Sequence, residues 1–142
     1  MNRRESREKA VQVLFSIDMT QTDPKEVLGN LMEENDEVSR EDADTQFLAA
    51  LVEGAVRHQA EIDQIVSQNL RGWTVGRLAN VDRAILRLAG YEMMYRDDIP
   101  VGATLNEAVE LAKLFGTDDS PKFINGVLSS MAKDIEKGKQ EE

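Results

Sequence analysis

Asn80, Arg83, Arg87 and Tyr91 recur at spacings of three and four residues, so a helix drawn through them aligns an amide, two guanidinium groups and a phenol ring on one face. Guanidinium planes and aromatic rings are the groups that hold the phosphates and stack the bases of single-stranded RNA. The competing reading is that Arg87 and Tyr91 cover a packing junction, with Arg87 paired to Glu92 or Glu107. Arg83 stands nearer the start of the segment and is expected to project further into solvent. A second basic group lies at the N-terminus, where Arg3, Arg4, Arg7 and Lys9 outnumber Glu5 and Glu8. Both groups sit on a chain of formal net charge −10, its acids concentrated between Asp23 and Asp44 and again from Asp97 onward. A charge of that sign works against phosphate binding, yet basic faces on an acidic body can hold one strand while discouraging unspecific adsorption. Composition alone favours the plainer reading, in which both groups are solvated helix faces.

No catalytic constellation is legible. With no cysteine and a single histidine, His58, thiolate chemistry and zinc clusters of cysteine or several histidines are excluded. His58, beside Arg57 in a polar stretch, reads as an exposed helix-end residue and not as a catalytic base. Glu107 and Glu110 could share a helix face, but Glu107 is accounted for as the capping partner of Thr104, and Glu110 can pair with Lys113. Asp118 with Asp119 lacks the alternating oxygen ligands of a calcium loop. Gly54, Gly72, Gly76, Gly90 and Gly126 are isolated, so no phosphate-cradling glycine loop forms. No catalytic residue, metal ligand or cofactor is assigned, and a binding module is expected in place of an enzyme.

The elements that must position these groups are helical from end to end. The first is expected from about Arg3 to Met19, with Ala10, Val13, Leu14 and Ile17 on one face. Asp23 and Pro24 open a second, and Ser39 with Asp42 resembles a capping box for a third whose core face carries Phe47, Leu48, Leu51, Val52 and Val56. A break near His58 leads to a fourth, stopped around Arg71-Gly72-Trp73. The fifth runs from Leu78 to Tyr95, the sixth from a Thr104 cap to about Gly116, and the last from Pro121 behind a Ser120 cap, with Phe123, Ile124, Val127, Leu128 and Met131 inward. The expected class is therefore all-α: about seven helices in two small packed bundles, about 1–59 and 60–142, within one domain. Apolar runs are short and interrupted by charge, and Arg3 and Arg4 follow directly on the N-terminus, so no membrane span or secretion signal is expected and a cytoplasmic location is.

Several stretches together resemble the NusB family of antitermination factors. They are Arg3-Arg4-Glu5-Ser6-Arg7-Glu8-Lys9-Ala10 followed by Val13-Leu14-Phe15; Val81-Asp82-Arg83-Ala84-Ile85-Leu86-Arg87-Leu88-Ala89 with Tyr91-Glu92; Asp98-Ile99-Pro100; Asn106-Glu107-Ala108-Val109-Glu110-Leu111-Ala112-Lys113; and Lys122-Phe123-Ile124-Asn125-Gly126-Val127-Leu128. The blocks stand in the family's order and cover nearly the whole chain. The resemblance implies two helical bundles, binding of the boxA RNA element in ribosomal RNA operon leaders, and a heterodimer with the ribosomal protein NusE within the RNA polymerase antitermination complex. It further implies self-association of the kind some members show, so a homodimer is a further expectation. By position, Arg3, Arg4, Arg7, Phe15 and the vicinity of Asn80, Asp82 and Arg83 would face RNA, while the second bundle, including Asp118, would lie toward NusE. The sequence departs from the family in placing Glu5 and Ser6 inside the basic run, and in Gly76 and Arg77, where other members can carry acids.

Two alternatives remain at this level. One is the RNA-binding domain related to that of ribosomal RNA cytosine methyltransferases. The other is a helical adaptor that binds only protein through its acidic faces.

Overall fold

The computed structural model describes residues 1–34 and 42–140. Across these the chain forms seven α-helices and one 3-10 turn, with no strand among the described residues, as the helical periodicity predicts. It divides into two compact units, Met1–Arg57 and His58–Glu142.

In the first unit, α1 (Arg3–Thr20) starts where the Asn2 side chain accepts the Glu5 N–H at 2.8 Å. It stops at Gln21, whose left-handed backbone (φ 60°) returns its N–H to the Ile17 carbonyl at 2.7 Å. Asp23 caps α2 (Pro24–Glu34) by accepting the Lys25 N–H at 2.8 Å, and Pro24 takes the first helical position, where its missing N–H costs nothing. The Ser39 half of the expected capping box lies outside the described residues. Its other half, Asp42, caps α3 (Ala43–Arg57) by accepting the Thr45 N–H at 3.3 Å. Ala10, Val11, Val13 and Leu14 of α1 and Phe47, Leu48, Leu51 and Val52 of α3 are buried as these helices pack together. Ser6 belongs to this inner face as well. It is fully buried, with its hydroxyl 2.9 Å from the Asn2 carbonyl and 3.0 Å from that of Asp44, so a serine interrupts the basic run because that position faces α3.

In the second unit the chain breaks at His58 and continues as α4 (Gln59–Gln68). Asn69, not Gly72, ends this helix, and Gly72 serves the following loop with φ 76°, a conformation in which a Cβ would be strained. A 3-10 turn (Val75–Arg77) precedes α5 (Asn80–Tyr95), which begins two residues later than its apolar period suggests because Leu78 is buried from extended backbone. Pro100 occupies the cap of α6 (Val101–Phe115), so Thr104 lies one turn inside the helix instead of capping it. Its hydroxyl donates to Glu92 Oε1 at 3.0 Å in the buried interior. α7 (Ser120–Gln140) starts at Ser120 itself, whose Oγ reaches back to accept the Thr117 N–H at 3.0 Å. Helix α5 packs on α4, α6 and α7, burying Ile85, Leu86, Leu88 and Ala89 with Ile62, Leu111, Ile124, Leu128 and Met131.

Two glycines within helices set a direct test of this packing. A Cβ at Gly90 would stand 2.8 Å from Ile62 Cγ2, and Ile62 is fully buried and cannot swing away; at Gly126 of α7 nothing lies within 4 Å. Gly90→Ala is therefore expected to destabilise by about 1–3 kcal/mol through overpacking, while Gly126→Ala should stabilise by up to about 1 kcal/mol through helix propensity. Urea midpoints moving in the same direction for the two variants would contradict this arrangement.

Candidate nucleic-acid interface

The spacing of Arg3 and Arg7 puts both on one face of α1, and that face meets Phe47 of α3. The Arg3 guanidinium carbon lies 4.2 Å from the centre of the Phe47 ring and that of Arg7 lies 5.4 Å away, both within cation–π range. Arg3 and Arg4 are exposed, whereas Arg7 is only 6 % exposed, so the expectation that all three project into solvent is corrected. Arg7 is drawn inward by the same ring that carries Arg3. Phe15, two turns further along α1, is half-buried. Phe47 was legible in the sequence only as a core position. Its role beneath two arginines depends on a contact some forty residues away in the chain, which no local spacing reveals.

The row on α5 is arranged differently from the expectation. Arg83 does not project: its Nη1 donates to the carbonyls of Leu78 at 3.2 Å and Val75 at 3.3 Å, and its Nη2 donates to Asn80 Oδ1. The guanidinium thus ties the 3-10 turn to the start of α5. Arg87 finds a carboxylate on α4. Nε and Nη2 each donate to Asp63 at 2.9 Å, a bidentate pair. Tyr91 belongs to a cluster of near-parallel rings in which His58 stacks on Tyr95 at 4.0 Å between centres. His58 is half-buried there, not exposed as its polar neighbours suggest. Partial burial, and secondarily the Glu61 carboxylate, raise the Tyr95 phenol above its usual value.

Asp82 turns toward a groove lined by Trp73, Arg77, Leu78, Thr117, Asp119, Ser120 and Phe123. Its Oδ1 is buried without a hydrogen-bond partner among the described residues. A neighbouring hollow shares Trp73, Asp119 and Phe123 and continues over Asn69, Lys122, Gly126 and Ser130. Trp73, 59 % exposed, is the largest apolar side chain on this surface. Asp118 is exposed in the turn beside Asp119. Among the described residues, no helix is long and apolar enough to cross a membrane.

Comparison with known proteins agrees with this helical fold. The fold is similar to that of T. maritima NusB, with a TM-score of 0.84 and 34 % identity over 94 % of this chain and 92 % of that one. It is also similar to a chain in the crystal structure of the antitermination factors NusB and NusE in complex with double-stranded RNA, with a TM-score of 0.83 and 31 % identity over 93 % and 96 % of the two chains. The transcription antitermination protein NusB of Bacillus pumilus is 48 % identical over 135 residues, spanning 95 % of this chain and 98 % of the relative. That of Geobacillus kaustophilus is 51 % identical over 137 residues, or 96 % of this chain and all of the relative. The family model described as NusB matches residues 4–133, from the arginine helix to the last buried turns of α7, and with both the sequence and the fold shared over nearly their full lengths, this chain belongs to the NusB family.

Proposed function

We propose that this chain is a transcription antitermination factor that binds boxA RNA of ribosomal RNA operon leaders together with NusE, acting by binding and not by catalysis, in the cytoplasm, as part of the RNA polymerase antitermination complex. The observation that carries this reading is the agreement of relatives near half identity over nearly the whole chain, each an antitermination protein. The likeness to a NusB chain found with NusE and RNA supports the choice of partners. Residues 1–142 act as a single RNA-binding domain. Arg3 and Arg4 provide exposed charge for RNA, with Arg7 and Phe15 on the same helix. Asn80 and Arg83 contribute by holding the turn before α5, and the groove bearing Asp82 and Asp119 beside Trp73, with Asp118 next to it, offers carboxylates to a basic protein such as NusE.

The decisive experiment titrates a boxA RNA oligonucleotide and a scrambled control with the full chain at several salt concentrations. The Arg3→Ala, Arg4→Ala double variant should lower the slope of log affinity against log salt by about 1.4, at about 0.7 per phosphate contact on a single strand. Its urea midpoint should stay near that of the parent, because both side chains are exposed. A parental slope would remove this helix from the RNA interface. Equal affinity for the scrambled control would favour unspecific binding instead.

A further inference from the structure

From the position of its ring we infer that Phe47 is a positioning residue for RNA binding, holding the Arg3 guanidinium in place before RNA arrives. This rests on the reading of the α1 arginines as an RNA contact. An exposed arginine on the first turn of a helix has many rotamers, and fixing one on binding subtracts directly from affinity. Here the Arg3 guanidinium lies 4.2 Å over the Phe47 ring and Arg7 approaches the same ring at 5.4 Å, so one aromatic ring receives two cations from successive turns of α1. Phe47 itself is 6 % exposed and is set in α3 beside the fully buried Leu48 and Leu51, so the ring cannot follow the arginine out into solvent. The ring's negative face attracts the cation, and burial of the ring fixes where that attraction acts. The α1–α3 anchor at Ser6, bonded to the Asp44 carbonyl at 3.0 Å, holds the two helices in register at this same turn.

The distinction between a preset cation and an additional contact is measurable. Phe47→Leu retains an apolar side chain but removes the π face, and Phe47→Tyr retains the face. In the full chain, Phe47→Leu is expected to weaken boxA RNA binding about fivefold while leaving the salt slope unchanged, because the phosphate contact still forms in the complex. Phe47→Tyr should bind like the parent. Arg3→Ala should weaken binding and reduce the slope by about 0.7, and adding Phe47→Leu to an Arg3→Ala, Arg7→Ala background should bring no further loss. A Phe47→Leu effect that persists in that background, or one equalled by Phe47→Tyr, would overturn the positioning role and leave the RNA reading intact. Parental affinity and slope in Arg3→Ala would overturn the RNA reading of this helix and the positioning role with it.

Discussion

Leu128→Ala is expected to lower the stability of the chain by about 2–5 kcal/mol, among the largest effects any single substitution here should produce. Leu128 sits in the middle of α7 with no exposed surface, between Ile124 four residues before it and Met131 three residues after it, both equally buried. Removing its isobutyl group loses the transfer energy of the buried methylenes and leaves a cavity whose walls belong to α5 and α6 as well as α7. Those helices are held by their own contacts and cannot close the gap. With a urea dependence of about 2 kcal/mol per molar, the unfolding midpoint should fall by about 1–2.5 M. Leu114→Ala is the matched control: the same atoms are removed from a side chain that is 58 % exposed, and its effect should stay within about 0.5 kcal/mol. Similar losses for the two variants would mean that α7 does not present Leu128 inward.

NusE should tighten boxA RNA binding by about 5- to 150-fold, a coupling of about 1–3 kcal/mol. The argument begins with charge. A chain at −10 repels phosphate at a distance, and its first helix sets four basic residues against three acids. One of the four, Arg7, is buried against Phe47, which leaves still less exposed charge than the sequence promises. The chain alone should therefore bind RNA modestly and with strong salt dependence. A basic partner that docked beside the exposed Asp118 and Asp119 carboxylates would add positive surface for the same RNA strand. Linkage requires that RNA strengthen NusE binding by the same factor. Titration of labelled boxA RNA into the chain, with and without saturating NusE at matched salt, measures the coupling directly. Identical dissociation constants would show that the two proteins build no shared RNA surface.

Helix number, helix class and most core positions were legible in the residues themselves, because amphipathic spacing is a local property: Leu14, Leu51, Ile85 and Leu128 each carry their inward direction in the apolar residues three and four places away. Caps were legible where the side chain had one nearby use, as with Asp23 before Pro24. They were misread where tertiary contacts offered a better one. Thr104 gives its hydroxyl to the buried Glu92, and the helix it was expected to open starts three residues earlier at Val101. The basic first helix was legible as a charged patch, and its blocks together pointed to the family. Which of its arginines meets solvent was not, since Arg7 is turned inward by an aromatic ring on another helix. The same holds on α5. Period alone aligned Asn80, Arg83, Arg87 and Tyr91 as one face, but the loop path set three carbonyls and an amide around Arg83, α4 brought Asp63 to Arg87, and His58 and Tyr95 surrounded Tyr91. A long cationic side chain reaches several ångströms from its own backbone, so its partner is chosen by whichever distant carbonyl, carboxylate or ring the fold delivers within that reach, and only the packed structure contains that information.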